Sequence, residues 1–377
     1  MNTKTKTNFR WVICAMLFIA TAVNYMDRQV LSLTWDEFIK PGFHWDESHY
    51  GIITSLFSII YAVCMLFAGR FVDWMGTRKG YLWAIGIWSA GACAHALCGV
   101  ITESITGLHD ASELIRATGD TAVLISTVSM YCFLGARSIL ALGEAGNFPA
   151  AIKTTAEYFP KKDRAYATSI FNAGASIGAL FAPVTIPLLA KHFGWEMAFI
   201  IIGVLGFLWM GAWVFLYDKP EESTHVSKEE LAYIEQDKDL DNSSESAENG
   251  KKIGFMQCLK YRQTWAFAVG KFMTDGVWWF FLFWTPSYLN TQFGIKSSDP
   301  KGMALIFTLY AITMLSIYGG KIPTLFINSA LKKGEAFDPY SARMKAMLIF
   351  AFLPLVVLLA QPLGRISPWF PVILIGI

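Results

Sequence analysis

Long apolar runs separated by short polar segments dominate this chain. Runs long enough to cross a bilayer fall at about 11–33, 49–70, 80–100, 122–148, 165–190, 195–217, 264–289, 302–327 and 342–361. A tenth begins near Ser367 and reaches Ile377 after too few apolar positions to cross. Inside lipid a single segment satisfies its backbone polar groups only as a helix. The pattern therefore predicts an all-α polytopic membrane protein with about nine and a half transmembrane helices. The first six runs form one expected bundle, residues 1–217. A polar segment, 218–262, interrupts the series, and its stretch 241–250, Asp-Asn-Ser-Ser-Glu-Ser-Ala-Glu-Asn-Gly, reads as a flexible, solvated tether. Residues 263–377 make a partial second bundle.

Charge distribution orients the spans. Arg70, Arg78 and Lys79 follow the second run, Lys153, Lys161, Lys162 and Arg164 the fourth, and Lys332, Lys333, Arg343 and Lys345 the eighth. The alternate connections are acidic: Asp36, Glu37, Asp46 and Glu47, then Glu103, Asp110, Glu113 and Asp120. Basic loops stay cytoplasmic, so the N-terminus is expected on the cytoplasmic side. The leading segment, with Lys4, Lys6 and Arg10, runs into too long an apolar stretch for a signal peptide and reads as a retained helix. The outer connection 101–121 is long, and Leu108, Leu114 and Ile115 suggest a short amphipathic helix lying there as a structural cap.

Composition agrees with lipid as solvent. The 377 residues are 54% hydrophobic and 16% charged, against about a quarter charged in soluble domains, and mean hydropathy is +0.41. The net charge of +2 sits in short blocks, so no nucleic-acid partner is expected. The six cysteines form no CxxC or Cys/His cluster, so neither a metal site nor a disulfide framework follows. With no nucleophile–base pair or phosphate loop, an enzyme is not expected, nor a cofactor. The expected partners are the bilayer and small solutes, and the expected state is a monomer.

Against this background, charge inside the spans is the informative chemistry. The first span holds Asn24-Tyr25-Met26-Asp27-Arg28, and the fourth holds Arg137 and Glu144. Four charges left unpaired at the bilayer centre would cost on the order of 10–14 kcal/mol. They must pair or line a hydrated cavity, as in an ion or solute pathway. Seven residues separate Arg137 from Glu144, two helical turns on one face. Asp27 and Arg28 diverge by roughly 100°, so one can face a cavity while the other meets a neighbouring helix.

Between the second and third spans stands Gly69-Arg-Phe-Val-Asp73-Trp-Met-Gly76-Thr-Arg78-Lys-Gly80. Gly69 would permit close helix approach, Gly76 a tight turn, and Asp73 could pair with Arg78 or cap a facing helix. The pattern resembles the loop signature of the major facilitator superfamily, whose fold is two six-helix bundles. The resemblance implies a gating loop at Gly69, Asp73, Gly76 and Arg78. Within the superfamily, the Asn24–Arg28 run, Arg137-x6-Glu144-Ala-Gly-Asn-Phe-Pro149 and Asn172-Ala-Gly-Ala-Ser-Ile-Gly178 resemble the anion:cation symporter family. The run Lys271-Phe-Met-Thr-Asp275 to Trp284 is similar to its hexuronate transporter branch.

The resemblance implies alternating-access, proton-coupled symport of a small organic anion such as glucuronate or galacturonate. Arg28 and Arg137 would be ligands for the substrate carboxylate, and Asp27 and Glu144 proton carriers. An anion that takes an arginine from its carboxylate leaves that carboxylate to gain a proton. Tyr61 could bond sugar hydroxyls or simply pack. Asn172 could do the same or join helices. Lys271 could meet the substrate or snorkel beside Asp275, and Trp279 could stack on a sugar or pack. Another sugar acid (galactonate, glucarate) and a non-transporting receptor or scaffold stay as alternatives. The family has twelve helices and a shorter outer loop. The chain is accordingly expected to be an incomplete reading of a longer gene, the other possibility being an inactive truncated product.

Overall fold

The computed structural model describes residues 7–108, 110–236, 255–314, 325–326, 329 and 339–377. The tether 241–250 and the basic pair Lys332 and Lys333 lie outside them. Among the described residues the regular structure is entirely helical. Seven helices there are long and apolar enough to cross a membrane. Six come first in the chain: α1 (Phe9–Phe43), α2 (Glu47–Met75), α3 (Thr77–Thr106), α4 (Asp120–Tyr158), α5 (Lys161–Phe193) and α6 (Trp195–Leu216). α7 (Arg262–Phe293) and α8 (Pro300–Thr313) follow. The seventh span, Met344–Gly364, is α9. It includes a 3₁₀ stretch, Leu353–Leu359, and α10 (Trp369–Gly376) comes after it.

Hydrophobicity makes these segments helical, but their crossings depend on small residues. In lipid, helices associate through close van der Waals contact, which small residues permit. α3 packs on α4 and α6, while α1 packs on α5. On α5, a Cβ at Gly174 or Gly178 would collide with the carbonyl oxygens of Phe18 and Ala22 on α1. Only glycine lets those two backbones meet.

The ends are set by polar chemistry. Asp46 caps α2 by accepting from the Ser48 and His49 amides at 2.9 and 3.0 Å. Gly76, at φ 78°, links α2 directly to α3 in a conformation that disfavours a side chain. The expected outer helix exists as Ala111–Arg116, with Leu114 buried and Ile115 exposed. The Leu114 carbonyl meets the His44 ring nitrogen at 2.7 Å, so this connection docks on the turn after α1.

Ahead of the stretch expected as a tether, the helix Lys228–Glu235 docks on the start of α1. Glu230 is fully buried and accepts from the Phe9 amide (3.0 Å), the Arg10 amide (3.1 Å), Arg10 Nη1 (3.0 Å) and Thr7 Oγ1 (2.5 Å). The carboxylate thus satisfies amides that every helix N-terminus leaves open. Burial alone would push this carboxyl up. The bonds from Thr7, the two amides and Arg10 outweigh it and hold the carboxyl below its ordinary range.

Candidate substrate site and gating loop

The four intramembrane charges converge inside the bundle rather than facing outward. Asp27, Arg28 and Glu144 are 0% exposed and Arg137 is 1% exposed. Arg28, one residue past Asp27 on α1, donates from Nε to Glu144 Oε2 at 2.7 Å. Its Nη2 donates to the same oxygen. Arg137, two turns before Glu144 on α4, donates from Nη2 to the Arg28 carbonyl at 2.8 Å. Arg137 Nε and Nη1, Glu144 Oε1 and both Asp27 oxygens have no hydrogen-bond partner. Asp27 still lies within electrostatic reach of Glu144, Arg137 and Arg28.

Aromatic rings enclose the guanidiniums. Arg28 Cζ stands 4.6 Å from the Tyr61 ring centre, 4.5 Å from Trp279, 5.3 Å from Tyr25 and 5.7 Å from Phe57. Arg137 Cζ stands 4.6 Å from the same Phe57 ring. A cation on a ring face gains about 0.5–2 kcal/mol, more where water is excluded. Trp279 comes from α7, so the second set of helices touches the charged cluster directly. Its ring lies 6.2 Å from that of Tyr61.

Other expected residues stand apart. Lys271 pairs with Asp275 at 2.8 Å one turn away, and both are well exposed. Asn172 is exposed on α5, on the side away from the glycines that meet α1. Sequence reasoning missed Phe57 and Tyr25. Phe57 lies one helical turn before Tyr61, and that i, i+4 spacing was the available signal. Tyr25 stands within the charged motif itself. His95 is buried, bonds the Gly91 carbonyl at 2.7 Å and stacks on Phe199 at 4.7 Å.

The Gly69–Gly80 loop is bonded differently from the expected pairing. Asp73 accepts from Lys153 on α4 at 2.9 Å, and Arg78 binds Asp218 at 2.7 Å and the Val214 carbonyl at 2.6 Å. Asp73 and Arg78 thus serve separate partners at the ends of α4 and α6. A Cβ at Gly69 would meet nothing within 4 Å, so the close approach expected there is absent from this structure. The close contact falls at Gly80, where a Cβ would lie 3.1 Å from the Val72 backbone.

At the opposite end, four bonds tie α1 and α2 to α7 and the α7–α8 turn. Asn290 Nδ2 donates to Asp36 at 2.7 Å. The Ser298 hydroxyl and amide donate to Glu37 at 2.5 and 3.2 Å. The Tyr50 hydroxyl donates to the Phe283 carbonyl at 2.9 Å. The half of α7 nearer Arg262 is exposed, with Phe267 and Phe272 at its surface.

Comparison with known proteins places this arrangement. The family model described as Major Facilitator Superfamily matches residues 17–377. The chain is 29% identical to the hexuronate transporter of Escherichia coli (strain K12), over 84% of this chain and 66% of that protein. It is 27% identical to the galacturonate transporter of Dickeya chrysanthemi, over 84% of this chain and 82% of that one. To the probable galactarate/D-glucarate transporter GarP of Escherichia coli (strain K12) it is 28% identical, over 88% and 69%. The chain thus spans just under two thirds of the length of that hexuronate transporter. Among solved structures, a bacterial homologue of the human lysosomal transporter Spinster, inward-facing and unoccupied, superposes with a TM-score of 0.61. It is 18% identical, over 98% of this chain and 73% of that one. A D-xylose-proton symporter gives 0.55 at 13% identity, over 98% and 80%. With the fold and the family model in agreement over nearly the whole length, the chain belongs to the Major Facilitator Superfamily.

Proposed function

We propose that the protein is a secondary active transporter that carries a hexuronate-type sugar acid together with protons by alternating access. One observation carries this: a buried Arg28–Glu144 pair beside an arginine, Arg137, with no ion-pair partner among the described residues, walled by aromatics from both sets of helices. An uncompensated guanidinium away from bulk water is costly on its own, and an incoming carboxylate would neutralise it. Flat aromatic faces beside it suit a sugar ring. Asp27 and Glu144, buried with unpartnered oxygens, are places to hold a proton. A scaffold has no use for such a set. The sugar-acid transporters among the relatives support the substrate class.

In this proposal residues 1–217 and 263–377 are the two rocking bundles, joined by 218–262, and the N-terminus is cytoplasmic in a bacterial inner membrane. The basic residues near that end support the orientation. Asp36–Asn290, Glu37–Ser298 and Tyr50–Phe283 then close the outer end, and the exposed first half of α7 faces inward. Asp73 and Arg78 brace α2 and α3 for the reverse closure. Tyr61 and Trp279 line the sugar, while Lys271 and Asn172, exposed and apart from the four charges, could meet cargo only as the bundles close. Substrate-induced alkalinisation outside proteoliposomes tests the proposal. Asp27→Asn should abolish proton-driven hexuronate accumulation while leaving exchange measurable, and unchanged active uptake would overturn the assignment.

A further inference from the structure

We propose that the two buried guanidiniums sort cargo by its charge: Arg137 alone receives a monocarboxylate, and Arg28 admits a second carboxylate only after Glu144 has taken a proton. This rests on the sugar-acid reading above and concerns what the same site does with a diacid.

The two arginines are inequivalent. Arg28 spends Nε and Nη2 on one carboxylate oxygen, Glu144 Oε2. Arg137 bonds a backbone carbonyl at 2.8 Å, and its Nε and Nη1 are unpartnered. Arg28 Nη1 is unpartnered too, so the difference lies in the ion pair: with Asp27 holding a proton, one guanidinium is neutralised and the other is not. A monoanion at Arg137 completes the balance without disturbing Arg28. A dianion entering the same state would set three carboxylates (its own two and Glu144) against two guanidiniums. Like charges crowded in a weakly polar interior repel strongly. A proton on Glu144 Oε1, an oxygen with no partner, cancels that excess. Arg28 then holds free charge for the second carboxylate. Asp27 faces both kinds of cargo alike and does not discriminate.

Distance permits the bridge. Both guanidiniums stand over one ring, Arg137 Cζ at 4.6 Å and Arg28 Cζ at 5.7 Å from the centre of Phe57. The two ends of a six-carbon diacid can reach groups that share a phenyl ring. Around Glu144 the titratable groups are Asp27, Arg28 and Tyr25 on α1, and Arg137 on its own helix. Tyr61 and Tyr50 on α2 adjoin the two arginines, and His95 and Cys93 on α3 adjoin Arg137 and Asp27. On α7, Asp275, paired with Lys271, lies within reach of Tyr25. Among the carboxylates there, Glu144 is the one hydrogen-bonded to the arginine that must be freed. The dianion's extra negative charge is matched by one extra proton, so the net charge carried is the same for both acids.

The test is equilibrium binding of labelled galacturonate and galactarate to the full chain in detergent, at pH values where both acids are fully ionised. They share a six-carbon skeleton and bear one and two carboxylates. Galactarate affinity should fall about tenfold more per pH unit than galacturonate affinity, the slope of one additional linked proton. Glu144→Gln, neutral at every pH, should abolish that difference in slope. Equal slopes for the two acids in the unaltered protein, a measurement that needs no variant, would overturn the inference. So would binding of galacturonate with no binding of galactarate at any pH. Failure of both acids to bind the folded protein would instead overturn the sugar-acid reading beneath it.

Discussion

Replacing Glu37 with alanine should release the end of the molecule opposite the N-terminus. Glu37 accepts two bonds from Ser298, one from the hydroxyl at 2.5 Å and one from the amide at 3.2 Å. Hydrogen bonds to a charged acceptor contribute roughly 1.5–3 kcal/mol each. Glu37 is only half-buried and partly solvated, so the pair together is set at about 2–3 kcal/mol, at or below the bottom of the summed range. The contact joins elements that separate when that end opens, so the loss falls on one conformation and not the other. Every 1.4 kcal/mol is a factor of ten, which makes the shift in the closed-to-open ratio roughly 30- to 150-fold. A minor open state at the per-cent level would become comparable with the closed one. Spin labels at Ser48 and Lys296, both exposed and on opposite sides of the contact, report the separation by pulsed dipolar spectroscopy. Glu37→Ala should add or enlarge a long-distance population. A distance distribution indistinguishable from that of the parent protein would refute the reasoning, because the two bonds would then be absent or present in both states.

Removing one member of the buried ion pair should be worse than removing both. Glu144→Ala strands Arg28 and should lower stability by about 3–5 kcal/mol, whereas Arg28→Met with Glu144→Leu should lose less than either single change, read as thermal unfolding in detergent. The Glu230 latch should weaken in acid. Its folded carboxyl is held below the ordinary 4.5, so its stabilisation is full above that value and is lost as pH falls through the depressed one. Proteolysis of residues 218–236 should accelerate there, and Glu230→Gln should cleave faster at neutral pH without that acid dependence. Gly178→Ala should force α5 off the Ala22 carbonyl on α1 and cost about 1–3 kcal/mol, so an unchanged melting temperature would mean that the two helices part freely.

Much of the fold was legible in the chain because lipid imposes a simple rule. Apolar length sets a helix, so α1–α6 emerged in place, although α1 and α4 run about ten residues past their apolar runs, to Phe43 and Tyr158, and the loop at Gly76 fell where glycine and charge coincide. Charge at membrane depth is expensive enough that Asp27, Arg28, Arg137 and Glu144 stood out before any coordinates. What the residues could not say was who pairs with whom. Asp73 and Arg78, five apart, looked like natural partners, yet packing brings Lys153 and Asp218 nearer. Nothing local pairs Glu230 with Thr7 to Arg10, which lie more than 200 residues away. Phe57 looked like any apolar residue until tertiary structure set two guanidiniums over it. Solvent cost and helical period are local properties, written residue by residue. Pairing depends on which helices cross and at what rotation, and that depends on close contacts such as Gly178 against Ala22, set by the whole bundle at once.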